Sequence, residues 1–151
     1  MKENVDYTGL FRELEERYLI SNTELAILNQ DTMIMQNNVT HGITVKTILV
    51  GNTIGLRITT LTGYIIDRMN MDLMKEINKK NCGFMCGGYY VDEDLELCFR
   101  SFIFRDTVSA TAVIKAINLN INTIKVTIKD ILETEKKETV NEDYKIMEVS
   151  E

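Results

Sequence analysis

The sequence predicts an α+β fold, an antiparallel sheet of about five strands with helices packed on it, in the order α-β-β-β-α-β-β-α. Three observations carry this expectation. Residues 74–104 read as a helix end, a strand, an acidic turn and a return strand. From Val113 to Ile131 apolar residues recur at steps of three and four, the spacing of one helix face. Between a first helix and residue 67, runs rich in β-branched residues are separated by short turns, as in hairpins.

Residues 1–7 are expected to be loose. Over residues 9–21, Leu10, Phe11, Leu14, Tyr18 and Leu19 share one side and Arg12, Glu13, Glu15, Glu16 and Arg17 the other, which makes a helix. Residues 25–29 are either an extra strand or the end of a linker. Met33, Ile34 and Met35 form a short strand before a turn at Asn37-Asn38. Residues 44–50 are rich in β-branched residues, and Ile54, Leu56 and Ile58 alternate with Gly55, Arg57 and Thr59. Gly51-Asn52 joins these two strands, with a positive φ as the expected means.

Residues 67–81 return to helical spacing, with Asn70 or Asp67 as N-cap. Leu73, Met74 and Ile77 form the apolar face, and Lys79 and Lys80 suit the negative end of the helix dipole. Residues 84–91 are a strand, Asp92-Glu93-Asp94 its turn, and residues 95–104 the return strand. Gly87 and Gly88 mark a bulge or a close backbone approach. The far end of the return strand is apolar on both faces, so a helix is expected to cover it. The closing helix spans about residues 107–132, with a strand over 123–128 as the alternative its β-branched residues leave open. Residues 134–151 carry six acidic and three basic side chains, half of the net charge of −6. They are expected to be a frayed or disordered tail on a single domain of residues 1–133.

A chain of 151 residues, 44% apolar and 26% charged, is an ordinary globule large enough to bury its own core. No apolar run approaches the roughly 20 residues that span a bilayer. The polar, acidic N-terminus lacks the apolar core of a signal peptide. Three cysteines then fit a reducing cytoplasm. With a pI of about 4.9, neither nucleic acid nor an anionic membrane is an expected partner.

The candidate chemistry is thin. Cys82, Cys86 and Cys98 with His41 make up the ligand number of a zinc site. Cys82 and Cys86 are separated by three residues, however, and four extended residues cover roughly 13 Å. The cysteines are therefore expected to be small apolar fillers, and the helix dipole disfavours a reactive thiol at Cys82. His41, in the turn Thr40-His41-Gly42, has no acid nearby in sequence, so no nucleophile–base pair is expected. Gly51-Asn52-Thr53-Ile54-Gly55 joins two strands and lacks the Gly-Lys-Ser/Thr of a phosphate loop. The Asp92-Glu93-Asp94 cluster lacks the alternating ligands of a calcium loop. No catalytic residue, metal or cofactor is expected. Met33, Met35, Met69, Met71, Met74 and Met85 serve either as core filler or as an adaptable surface.

Leu73-Met74-Lys75-Glu76-Ile77-Asn78, Phe84, the strand to Tyr90-Val91, the turn Asp92-Glu93-Asp94, the return strand and the long closing helix resemble the YbjN-type domain. This bacterial family is similar in fold to type III secretion chaperones. The element order agrees over about residues 9–132, and Asn81-Cys82-Gly83 stands where the family has a proline. The resemblance implies a helix-flanked antiparallel sheet, often dimeric, that binds or regulates other proteins without catalysis.

The expected function is a cytoplasmic, non-enzymatic protein-binding domain, chaperone-like or regulatory, and a homodimer. It would hold a partner segment on an apolar surface drawn from Met33, Met35, Met71, Met85, Phe102 and Phe104. The alternative is a small-molecule binder with a pocket between the sheet and the closing helix.

Overall fold

The computed structural model describes residues 5–19, 23–39 and 43–149. In chain order the elements are α1 (Thr8–Tyr18), β1 (Thr23–Ile27), β2 (Thr32–Val39), β3 (Ile43–Gly51), β4 (Gly55–Ile65), α2 (Met71–Cys82), β5 (Gly88–Val91), β6 (Glu96–Phe104), a 3₁₀ turn (Arg105–Thr107) and α3 (Ala110–Val149). The strands form one antiparallel sheet in the order β1-β2-β3-β4-β6-β5. This is the predicted α+β class with one strand more. The ambiguous run after α1 is β1, paired through Leu25 to Met35. Asn37 and Asn38 do not turn the chain; they continue β2 opposite Val45 and Thr44. His41 lies outside the described residues.

Successive residues of a strand face opposite sides, so each strand divides its side chains between two faces. All three helices pack on one of them. Phe11 and Leu14 of α1 join Met33, Met35, Leu49, Leu56 and Ile58 in one buried cluster. Leu73 and Ile77 of α2 join Tyr89, Leu97 and Phe99 in a second. α3 crosses both, giving Val113, Ile117 and Ile121 to the first and Ile124, Ile128 and Ile131 to the second. Packing of this unbroken isoleucine stripe overrides the low helix propensity of its residues, and the strand alternative over 123–128 is not realised. Between the clusters runs a polar seam, where the buried Asn120 donates to Ser101 Oγ (3.0 Å) and Thr60 Oγ1 (3.4 Å).

The stretch before α1 is not loose at Tyr7. Its N–H donates to the Gln30 carbonyl (2.8 Å), its hydroxyl to the Asn52 carbonyl (2.8 Å), and its ring stacks on Phe11. That ring explains Gly51, where a Cβ would overlap it. The β3–β4 turn itself does not use a positive φ at Gly51. Asn52 Oδ1 accepts the N–H groups of Ile54 (2.9 Å) and Gly55 (3.1 Å), a side chain mimicking a backbone turn.

Asn70 caps α2, accepting the Leu73 N–H at 2.8 Å. At the other end Asn81 ties helix to strand. Its amide accepts from Tyr89 N–H (2.7 Å) and donates to the Tyr89 carbonyl (3.0 Å), as a neighbouring strand would. β5 is shorter than predicted because residues 84–87 form a loop that folds Phe84 onto Tyr89 and Phe99. Gly87 turns that loop at a φ of 74°, where a Cβ would press on the Arg100 carbonyl and the Phe99 ring. Asp92 builds the β5–β6 turn by accepting the N–H groups of Asp94 and Glu96, each at 2.9 Å.

α3 does not end near residue 132; its backbone is helical to Val149. Glutamate and lysine are good helix formers, and pairs such as Lys129–Glu133 (3.9 Å) support the turn. Glu135 is buried and accepts the Asp67 N–H at 2.9 Å, so the helix still packs on the domain beyond residue 133. Lys80 ties α2 to α3 through Asp130 at 2.6 Å.

Candidate binding surface

The second face of the sheet carries no helix. Its side chains follow from the strand registers. One row runs Glu24, Gln36, Lys46, Leu61, Cys98 and Tyr90 across all six strands. The next runs Ala26, Ile34, Ile48, Thr59, Arg100 and Gly88. A third runs Thr32, Val50, Arg57 and Phe102, and Phe104 stands beyond it opposite Gly55. A sheet face left in water is ordinarily polar. Here Ile34, Ile48, Val50 and Leu61 are half-buried, while Phe102 and Phe104 are 42% and 67% exposed. The two rings meet edge to face at 5.3 Å. The expected helical cover over the end of β6 reaches one face only: its inner residues meet α3 and its outer ones, Phe102 and Phe104, meet solvent.

At that end Arg57, Arg100, Cys86, Gly87, Phe102 and Phe104 line an open groove of about 540 Å³. The Arg100 guanidinium lies over the Tyr90 ring, 4.8 Å from its centroid, a cation–π contact. Cys98 is buried beneath this corner although it lies on the open face. Burial, and then the carboxylates of Asp92 and Glu96, push its thiol up to about 12. A thiol held neutral is no nucleophile. Cys82 and Cys86 are exposed and unpaired. Among the described residues no group of three or more His, Cys, Asp or Glu side chains is arranged to hold a metal ion.

The six residues expected to form a binding surface do not come together. Met33 and Met35 are fully buried against α1 and α3, because alternate residues of β2 point inward and these are the inward ones. They offer no surface to a partner. Met71 is exposed in the first turn of α2. Met85 is 99% exposed in the loop leading into the groove, next to Cys86. Phe102 and Phe104 are the two that share the open face. Ile34, Ile48, Val50, Leu61, Arg57 and Arg100 join them there and were not expected. The signal for them was present: in Thr47-Ile48-Leu49-Val50 both alternating sets are β-branched or apolar, which one covered face does not need.

A second, smaller groove of about 300 Å³ lies between α2 and the β5–β6 turn, lined by Met69, Met74, Ile77, Val91 and Leu95, with Asn78 and Asp92 at its polar side. It is beside the helix, not between sheet and closing helix. No described helix is long and apolar enough to cross a membrane. No family model, curated protein or solved structure matches the chain.

Proposed function

We propose that this chain is a non-enzymatic protein-binding domain, chaperone-like or regulatory, that holds a segment of another protein on the open face of its sheet. One observation carries the reading. A six-stranded sheet whose helices all lie on one side presents an apolar strip on the other, with two phenylalanines projecting from it. An exposed apolar patch with a polar margin is the usual mark of an interaction surface. The resemblance to YbjN-type and secretion-chaperone domains points the same way. A reducing cytoplasm as its setting fits the exposed, unpaired Cys82 and Cys86.

The test is partner recovery by affinity-tagged chain after cross-linking in its native cell, with identification by mass spectrometry. The variant carrying Phe102→Ser and Phe104→Ser is expected to lose the partner. Val126→Ser, on the exposed side of α3, is expected to keep it. A partner retained equally by both variants would show that binding occurs elsewhere.

A further inference from the structure

Lys46, Arg57 and Arg100 are all exposed on the open face, and none forms an ion pair among the described residues. Arg17 meets Glu13, Lys80 meets Glu76 and Asp130, and Lys129 meets Glu133, while Lys75, Lys115 and Lys125 on the helices also have no ion pair among the described residues; what marks the three cations of the open face is that they share one surface. Arg57 stands opposite Phe102, and Thr59 opposite Arg100. The two arginines are therefore diagonal neighbours, about 7–8 Å apart at the backbone. Like charges at that spacing repel, and the two adjacent rows that carry them hold no acid. The acidic residues of this face sit at its margins. Glu24 is on the edge strand β1, Glu96 accepts the Gly63 N–H at the start of β6, and Asp92 is engaged in the turn. In a chain of net charge −6 the centre of this face is a cationic island beside two exposed aromatic rings.

We infer that the protein segment held on this face is acidic, with carboxylates that meet Arg57 and Arg100 and apolar side chains that lie over Phe102 and Phe104. This rests on the reading of the open face as a partner-binding surface and adds the chemistry of the partner. Arginine recognises a carboxylate through two parallel hydrogen bonds, and the neighbouring rings lower the local polarity that would otherwise weaken them. The groove between the two arginines has the size of ordinary ligand pockets. A second copy docked face to face is disfavoured, because a two-fold interface presents the same patch to itself and brings cation against cation. Nucleic acid is disfavoured because its affinity grows with the number of phosphates neutralised, and three cations on an acidic chain neutralise few.

The experiment is selection from a displayed library of random peptides on the full-length chain, followed by binding of the selected peptides measured by fluorescence anisotropy. Enriched peptides are expected to combine two or more carboxylates with large apolar residues. Their affinity is expected to fall about tenfold or more on Arg57→Gln with Arg100→Gln, and to weaken as salt is raised. Circular dichroism of the double variant checks that it is folded. Enrichment of neutral or basic peptides that still require Phe102 and Phe104 would overturn the charge assignment and leave the surface standing. Enrichment of peptides indifferent to both phenylalanines, or of none, would overturn both. Tighter binding of oligothymidylate than of any peptide, or self-association abolished by Phe104→Ser in light scattering, would replace the acidic segment by nucleic acid or a second copy.

Discussion

Phe99 and Phe104 lie on the same strand, five residues apart, on opposite faces of the sheet. Truncating each to alanine therefore measures what covers each face. Phe99 is 1% exposed and packs edge-on against Tyr89 (5.1 Å) and Phe84 (5.4 Å). Phe99→Ala removes the ring, leaves a cavity and breaks both aromatic contacts, a loss of about 3–5 kcal/mol. That is a large part of the roughly 5–15 kcal/mol by which a domain is stable. Phe104 is 67% exposed, so only about a third of its side chain is out of water. Full burial of a phenylalanine contributes about 1.5–3 kcal/mol, and a third of that is about 1 kcal/mol or less. Urea titrations followed by far-ultraviolet circular dichroism at several protein concentrations give both numbers. With the exposed edge-to-face contact to Phe102 also lost, Phe104→Ala is expected to shift stability by no more than about 2 kcal/mol. A loss as large as that of Phe99→Ala would refute the reasoning, because it would mean that the outer face is covered in solution.

Three further outcomes follow from the same geometry. Asn81→Ala leaves the Tyr89 N–H and carbonyl without their partner and is expected to cost about 1–3 kcal/mol by the same titration, against under about 0.5 kcal/mol for the exposed Asn78→Ala. Cys82 and Cys86 are expected to react rapidly with Ellman's reagent and the buried Cys98 only on unfolding; three fast thiols would contradict its burial. Burial holds Tyr89 and Tyr64 up to about 12, with the Glu135 carboxylate adding to the effect at Tyr64, and Cys98 likewise up to about 12. These groups stay protonated in the folded chain after the unfolded chain has released its protons, so stability is full below about pH 9 and falls between about pH 9 and 12. A urea midpoint that stays flat or rises across that window would contradict the shifts.

Local chemistry explains why so much of the fold was legible. The period of Val113 to Ile131 is that of a helix whatever it packs on, and Asn70 reads as a cap because its side chain serves an N–H only three residues away. Residues 44–50 and the alternation around Ile58 read as strands for the same reason. Errors cluster where one side chain serves a distant part of the chain. Tyr7 looked loose because Gln30 and Asn52, which hold it, are far away in sequence. Asn81 looked like the end of a helix because its partner, Tyr89, belongs to the next strand.

The candidate site divides along the same line. That the far end of β6 is apolar on both sides, and that β3 is nearly so, was written in residue order. Which set of side chains would face helices and which would face solvent was not, since exchanging the faces changes no local property of a strand. The choice was made by long-range packing. α1 and α3 close over Met33 and Met35, turning two expected surface methionines into core, and the same closure leaves Phe102, Phe104 and the two arginines outside. Periodicity settles that an element has two faces; burial of one of them against distant helices settles which face is left open.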